Sequence, residues 1–290
     1  MHRNRTTIRR ALAAGIAPVA LTGLLLTPGL DRAGAAGPRA DMPTITATAK
    51  GFAAAVPMGI TAGMVRFTYT NNGGTWQGIG LGLLKAGVSQ AQVISVLKTG
   101  NPQGLDALGV PYGGVGAGMG ATETMVAALP AGRYVIYDTE TGPKGKPLYD
   151  AKFFTIGAGS ASSGMMDAPS TAAAITLKDM KFVSPDSLPA GTHTFKIHND
   201  GPSEHMMVTV KLSKGKTYQD VLAFLKGGEK GQPPIDPTTF GGFNAMGPGQ
   251  TAYLTETFTP GTYVLLCFVT DTKKNIPHVA EGMVKKITVS

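Results

Sequence analysis

Cysteine is almost absent from this chain, since Cys267 is the only one among 290 residues. One thiol cannot form a disulfide within the chain, so it either pairs with another molecule or has some other role. Histidine is also scarce: the chain has five, and none lies between residues 37 and 192. Glycine and proline, by contrast, number 40 and 20, which indicates a chain with many turns.

Long hydrophobic runs are missing after the N-terminal region. The one extended apolar stretch, residues 11–30, follows four arginines and precedes Ala33-Gly34-Ala35, small residues of the kind that signal peptidases recognise. This pattern predicts a signal peptide over residues 1–35 and a secreted or cell-envelope (periplasmic) protein, with an uncleaved anchor as the alternative. The Arg9-Arg10 pair makes twin-arginine export a candidate route. No later segment reaches the ~20 apolar residues of a membrane-spanning helix, so we expect no span in the mature chain.

Strong charge is missing as well once the N-terminal region is set aside. Residues 1–36 contain five Arg and one Asp, and so contribute +4 of the formal net charge of +8. The remaining +4 is spread along the chain, without the Lys/Arg cluster that a phosphate backbone attracts. We therefore expect no nucleic-acid partner.

The two halves of the chain resemble each other in sequence. Residues 60–73 match residues 188–201 at an offset of 128, and residues 129–138 match residues 258–267 at an offset of 129. Apolar and polar residues alternate in these segments, and turns rich in proline and glycine accompany them, which indicates short β-strands.

Each half also contains one short predicted helix with a polar N-terminal cap. The caps pair Ser89 with Gln92 in the first half and Thr217 with Asp220 in the second. Short strands, frequent turns and one small helix per half favour sandwiches over a parallel sheet.

The sequence therefore predicts an all-β fold of two tandem antiparallel Greek-key β-sandwich domains, each with one short helix. We place these domains at residues 42–157 and 174–290. The segment 158–173 between them is small and polar, which is typical of a linker.

The residues that could hold a transition metal occur only in the second half. Four potential ligands stand where the first half has residues of other kinds: His205 for Gln77, Cys267 for Asp138, His278 for Tyr149 and Met283 for Phe154. One thiolate, two imidazoles and one thioether suit copper, with the thiolate and imidazoles in a trigonal plane and a long axial methionine. The remaining histidines of this half, His193 and His198, are interpreted as structural.

Three segments of the second half resemble the cupredoxins, the family of blue copper proteins. The strand at residues 261–267, GTYVLLC, is similar to the strand that carries the copper thiolate in that family. Pro277-His278 followed after four residues by Met283 resembles its closing His-x4-Met loop, and residues 199–205 resemble the turn before its first histidine. The resemblance covers the whole second half and, as a fold, extends to the first.

The resemblance implies one mononuclear copper site that cycles between Cu(I) and Cu(II). His205, Cys267 and His278 would be its equatorial ligands and Met283 its axial ligand, with the backbone N–H of Met206 donating to the thiolate. Ten residues separate Cys267 from His278, which is more than in most cupredoxins. How this loop closes is the feature that the sequence leaves open.

The function expected from this site is one-electron transfer, with a redox or copper-transfer protein of unknown identity as partner. Copper holding or delivery is a close alternative, because it uses the same atoms. A different alternative is a copper-free β-sandwich module for binding or adhesion at the envelope, in which Cys267 is merely buried. We expect no enzyme: a copper oxidase needs a second centre, and only His193 and His198 remain for it. A Cys–His nucleophile is disfavoured because Cys267 ends an apolar strand.

Overall fold

Residues 42–49, 52–73, 76–138, 149–159 and 168–290 are described by the structure, a computed structural model. The predicted signal peptide and the central part of the predicted linker lie outside these residues. Among the described residues, no helix has the length and apolar character needed to cross a membrane.

The described residues are mainly β-strand. The first half contributes β1 (Thr44–Thr48), β2 (Ala53–Ala55), β3 (Gly63–Thr70), β4 (Gln77–Leu84), β5 (Gly109–Pro111), β6 (Gly116–Ala117), β7 (Thr122–Leu129), β8 (Gly132–Asp138) and β9 (Ala151–Ile156). The second half contributes β10 (Ala173–Lys178), β11 (Lys181–Val183), β12 (Ser187–Leu188), β13 (Gly191–Asn199), β14 (His205–Lys211), β15 (Gly241–Met246), β16 (Thr251–Phe258), β17 (Gly261–Leu266), β18 (Thr270–Asp271), β19 (Ile276–Pro277) and β20 (Val284–Val289).

Helical structure is limited to two short α-helices and three 3₁₀ turns in this part of the chain. The helices are α1 (Gln90–Leu97) and α2 (Tyr218–Lys226), and the turns are Pro102–Ala107, Pro237–Thr239 and His278–Glu281. Both predicted caps are confirmed. Ser89 and Gln92 exchange hydrogen bonds between side chain and backbone at α1, and Thr217 and Asp220 do the same at α2.

The described strands form one large sheet that belongs to both halves, two five-stranded sheets that belong to one half each, and the two-stranded sheet β18-β19. The eight-stranded sheet has the order β11-β10-β13-β16-β7-β3-β1-β2, so β16 of the second half pairs with β7 of the first. The second half forms a five-stranded sheet of order β12-β20-β17-β14-β15, and the first half forms one of order β5-β4-β8-β9 with β6 paired to β4. Antiparallel pairing of Ala252 with Ala127 through Thr255 with Thr124 makes the large sheet continuous across the chain. We call this β16–β7 contact the junction.

The large sheet and the five-stranded sheet of the second half are mixed, whereas purely antiparallel sheets were predicted. The five-stranded sheet of the first half is antiparallel throughout, as predicted. β1 pairs parallel with β3, β10 pairs parallel with β13, and β12 pairs parallel with β20. The physical reason is the path of the chain: after β1 it turns back through β2, antiparallel to β1, and reverses once more before β3. Alternation of apolar and polar residues does not reveal the relative direction of two paired strands, because it is the same in parallel and antiparallel sheets.

The core lies between the large sheet and the smaller sheets. On β3, Val65, Phe67 and Tyr69 are buried and alternate with half-buried residues, and Phe195 and Ile197 are likewise buried at alternate positions of β13. Each fully buried side chain of this size stabilises the fold by roughly 1.5–3 kcal/mol. Residues of both halves belong to one continuous apolar cluster, which also includes Cys267 and Met283.

Two glycines with positive φ lie where one strand passes very close to another. Gly114 has φ +132°, and an added Cβ would lie 2.0 Å from the carbonyl oxygen of Ile79. Gly242 has φ +115°, and an added Cβ would lie 2.0 Å from the carbonyl oxygen of Met207. No side chain fits in either place without movement of the backbone.

Gly242→Ala is therefore expected to destabilise the protein by at least about 2 kcal/mol, through backbone strain and the clash with Met207. The measurement is the free energy of unfolding in denaturant. Gly82→Ala is the matched control on β4, because its new Cβ would meet Val135 at an ordinary contact distance of 3.6 Å. Equal stability of the two variants would contradict this account.

Candidate metal centre

His205 is the first residue of β14 and is placed by the loop before it. The side-chain nitrogen of Asn199 donates to the carbonyl oxygens of Ser203 and Met246, each at 2.9 Å. The side-chain oxygen of Asn199 accepts the backbone N–H of Gly201 at 3.0 Å. One asparagine thus holds both sides of the loop, and the His205 side chain that follows it is fully buried.

Cys267 directly follows β17, the strand in which the sequence placed it. Val264, Leu265 and Leu266 before it are buried, and Cys267 itself is 0% exposed. Its backbone N–H donates to the carbonyl oxygen of Met283 at 3.3 Å. The thiol therefore lies inside the protein at the end of a central strand.

The ten residues between Cys267 and His278 fold as a small hairpin. β18 pairs antiparallel with β19, and Asn275 takes a positive φ of 60° at the turn. At the base of the hairpin, the N–H of His278 donates to Val269 and that of Val279 donates to Cys267, both at 2.8 Å. The long segment between the two ligands is therefore a hairpin whose two ends stay adjacent. This is how the loop closes.

The structure brings three of the predicted ligands together. Nδ1 of His205 lies 3.2 Å from Nδ1 of His278, and the Cys267 Sγ lies 3.9 Å and 3.6 Å from these two nitrogens. In a triangle with these sides, the point equidistant from the three atoms is about 2.1 Å from each. Metal–nitrogen bonds of about 2.0–2.1 Å and metal–sulfur bonds of about 2.3 Å are typical of protein sites. The three atoms are thus spaced for one transition-metal ion.

The backbone of Met283 contacts two of the three ligand residues, Cys267 and His278. Its N–H donates to the carbonyl oxygen of His278 at 2.9 Å, its carbonyl oxygen accepts from Cys267, and its side chain is fully buried. Axial ligation by the Met283 sulfur stays a prediction.

The environment of the thiol combines burial with backbone donors. The N–H of Met206 donates to the Cys267 Sγ at 3.5 Å, as the resemblance to the cupredoxins implied. Burial raises the pKa of Cys267 to about 12, although backbone N–H groups of Met206 and Val269 oppose the shift. Without a metal the thiol is therefore protonated, and metal binding must release this proton.

The two imidazoles are held in the neutral form that binds metals. Burial lowers the pKa of His205 and that of His278. Neutral nitrogen donors, a thiolate and a dry surrounding favour a soft or borderline cation over a hard one such as magnesium. Within the described part of the chain, one cluster of potential metal-ligating side chains (His, Cys, Asp or Glu) is spaced to hold an ion, and it consists of these three residues.

Asp179 is a site residue that the sequence did not reveal. It lies in the turn between β10 and β11, 26 residues before His205, and its Oδ1 is 3.0 Å from the His205 Nε2. No spacing or motif in the sequence connects the two residues. Only the parallel pairing of β10 with β13 brings this turn to the ligand end of the sandwich.

The first half also contacts the metal centre. The side chain of Gln103 donates to the carbonyl oxygen of Thr270 at 2.7 Å and accepts the Thr270 N–H at 3.3 Å. A side-chain hydrogen bond joins Asp106 to Glu204, the residue before His205. The 3₁₀ turn Pro102–Ala107 therefore rests on both chain segments that supply the ligands.

Comparison with known proteins adds observations on the fold. No protein-family model and no curated protein matches this chain. A dithionite-reduced auracyanin from the photosynthetic bacterium Roseiflexus castenholzii is similar in structure, with 25% identity over 40% of this chain and 94% of that protein, at a TM-score of 0.27. Auracyanin A, a blue copper protein from Chloroflexus aurantiacus, has 21% identity over 40% of this chain and 99% of that protein, at a TM-score of 0.25.

A multicopper oxidase is similar over more of the chain. It has 15% identity, covers 85% of this chain and 88% of its own, and gives a TM-score of 0.24. Because these TM-scores are low, the chemistry of the centre is inferred from its own residues. Those residues form a His-Cys-His cluster that fits a single mononuclear copper site of the type 1, cupredoxin kind.

Proposed function

We propose that this protein is a one-electron carrier with one copper ion, held by His205, Cys267 and His278 and by Met283 as axial ligand. The observation that carries the proposal is the triangle of two Nδ1 atoms and one Sγ, each about 2.1 Å from a common centre. Copper bound there would supply a Cu(I)/Cu(II) couple.

The surroundings of the ligands favour electron transfer over enzymatic chemistry. The side chains of His205, Cys267 and His278 are 0 to 1% exposed, so a substrate has no direct access to the ion. The backbones of Cys267 and His278 are hydrogen-bonded to the adjacent loop segments, and His205 pairs with Met246 of β15, which resists rearrangement when the charge of the ion changes. A site that changes little between two oxidation states gives up and accepts electrons with little reorganisation.

We also propose that the two halves are copies of one Greek-key sandwich, at residues 42–157 and 174–290. Equivalent parallel pairs, β1 with β3 and β10 with β13, support this. Gly114 and Gly242 support it as well, because they make the same close contact at an offset of 128. So do Tyr134 and Tyr263, offset by 129, whose hydroxyls each bond the backbone four residues earlier. The first copy would be free of metal and would serve as scaffold.

Export belongs to the same proposal. The predicted signal peptide would direct the chain to the envelope or the outside of the cell, by twin-arginine export if the copper is inserted before transport. The partner would then be another redox protein, or a copper-transfer protein, of that compartment.

Copper titration of the purified mature protein tests the function. We expect one equivalent of Cu(II) to bind with an intense visible thiolate-to-Cu(II) band, and the copper to remain bound through repeated reduction and reoxidation beside a Cu(I) chelator. A variant lacking both His193 and His198 is the control and should behave in the same way. Loss of the copper to the chelator at each reduction would favour holding or delivery instead. A protein without bound copper and without the band would support the copper-free binding module.

A further inference from the structure

We propose that Asp179 is a positioning residue for His205, which fixes the ring tautomer that presents Nδ1 to the metal and lowers the reduction potential of bound copper. This inference rests on the proposed copper site. Asp179 is not a ligand itself, because its carboxylate contacts the opposite ring nitrogen of His205.

The contacts of the Asp179 carboxylate determine which ring nitrogen carries the proton. Oδ1 lies 3.0 Å from His205 Nε2, and Oδ2 accepts the hydroxyl of Ser203 at 3.1 Å. A carboxylate only accepts hydrogen bonds, so Nε2 must be the nitrogen that donates. In a neutral ring this leaves Nδ1 with its lone pair directed at Cys267 and His278.

Gly201 shows that the contact between Asp179 and His205 is tightly fitted. A Cβ added at Gly201 would lie 2.7 Å from Asp179 Oδ1 and 2.8 Å from His205 Nε2. The loop thus passes directly over this hydrogen bond and shields it on one side. Because His205 is fully buried, its Nε2 has no access to bulk water as a substitute acceptor.

The charge of Asp179 acts on the ion through the ring. The nearby Lys178 pairs with Asp200 at 2.8 Å, and Ser203 is a neutral partner, so neither neutralises the Asp179 carboxylate. A negative charge favours Cu(II) over Cu(I), although exposure of 38% of the Asp179 side chain screens part of the effect. Partners of this kind typically change metal affinity by about 10- to 100-fold when they are lost.

The first measurement uses the copper-free protein. Nitrogen NMR of the His205 ring, at a pH where the ring is neutral, should show a proton on Nε2 in the wild type. Asp179→Asn should retain this tautomer, because an amide oxygen also accepts from Nε2. Asp179→Ala should show a mixture of both tautomers. A wild-type ring with its proton on Nδ1, or an unchanged ring in Asp179→Ala, would overturn the tautomer role.

The second measurement is the reduction potential of the copper-loaded protein. We expect Asp179→Ala to weaken Cu(II) binding by about 10- to 100-fold and Cu(I) binding by less. Each tenfold difference between the two losses raises the potential by about 59 mV. Asp179→Asn should raise the potential while keeping most of the Cu(II) affinity, because it loses the charge but retains the hydrogen bond.

Asp186→Asn is the matched control, since Asp186 is an exposed carboxylate that pairs with Lys285 on the same half of the chain. It removes the same charge at a carboxylate that contacts Lys285 rather than His205, and it should leave the potential unchanged. Equal potentials for wild type, Asp179→Ala and the control would overturn the inference. If the wild type binds no copper, the proposed function fails, whereas bound copper with an unchanged potential refutes the role of Asp179 alone. The thermal midpoints of all variants separate these effects from unfolding.

Discussion

Cys267→Ser is expected to abolish the visible thiolate-to-Cu(II) band and to weaken copper binding by more than about 100-fold, beyond the effect of losing an outer partner. Cys267 would supply the one anionic ligand, and the positive charge of bound copper would offset the cost of burying its thiolate. Serine has nearly the same shape, so the backbone donors of Met206 and Val269 keep an acceptor. A neutral hydroxyl, however, is a hard and weak ligand for copper.

A comparison without copper distinguishes loss of a metal ligand from loss of the folded structure. Cys267→Ser without copper should unfold within a few degrees of the copper-free wild type, because the substitution leaves no cavity. His198→Ala is the control for loss of a potential ligand, since His198 bonds Thr251 and lies away from the centre. Retention of the visible band in Cys267→Ser would show that the thiol is not a ligand and that the centre has been assigned wrongly.

The second large effect is expected from a row of polar side chains that crosses the junction. His193 on β13 pairs with Glu256 on β16, and Glu123 on β7 pairs with Tyr69 on β3. Because Thr255 pairs with Thr124, Glu256 and Glu123 are neighbours across the junction. These residues alternate with apolar ones, so they share the core face of the sheet.

Two carboxyl groups in this row are difficult to ionise. Burial raises the pKa of Glu256 well above its usual value, although the Thr209 hydroxyl, which donates to its Oε1 at 2.7 Å, opposes the shift. Burial raises the pKa of Glu123, and the neighbouring Glu256 raises it further. Raised carboxyl pKa values mean that the folded protein holds protons that the unfolded chain releases near pH 4.5. The contribution of these two protonated carboxyls to stability is therefore fully present below that pH. It is lost as the pH rises through their pKa values in the folded protein.

We accordingly expect the thermal midpoint to fall between pH 5 and pH 9, and Glu256→Gln to reduce this fall. Glutamine keeps an acceptor for Thr209 but cannot ionise, so at pH 8 it should stabilise the protein by about 1–3 kcal/mol. That corresponds to several degrees in a chain of this size. Asp150→Asn, at an exposed carboxyl of the first half, is the control and should leave the pH dependence unchanged. A midpoint that rises with pH, or a destabilised Glu256→Gln at pH 8, would contradict the assignment of the protons.

Most of the features that the sequence predicted depend on neighbouring residues; His205, 62 residues before Cys267, is an exception that the comparison of the two halves and the resemblance to the cupredoxins supplied. Both helix caps were predicted because a cap needs only two residues three positions apart. Cys267 and His278 were predicted as ligands because residue types of this softness, near one another along the chain, suit a copper site. The hydrogen bond from Met206, the residue directly after His205, was implied by the resemblance to the cupredoxins.

What the sequence did not predict depends on contacts between distant segments. The junction is a backbone contact between β7 and β16, and backbone pairing leaves little trace in side-chain patterns. Asp179 and Gln103 reach the centre from turns whose positions follow from the whole topology. The hairpin of β18 and β19 was not predicted either, because two-residue strands carry no periodic signal.

The hairpin has a consequence for how this centre tolerates change. Its two ends are fixed by backbone hydrogen bonds that involve Cys267 and Val269 on one side and His278 and Val279 on the other. Thr270 also contacts Gln103, and Lys274 pairs with Glu281, so these two positions are constrained. The rest of the tip can vary in composition, because the hydrogen bonds at the base hold the ligand residues in place. The tip, which includes exposed Lys273 and Ile276, is thus a position where a new recognition element can be inserted while the backbone contacts at the base of the hairpin are kept.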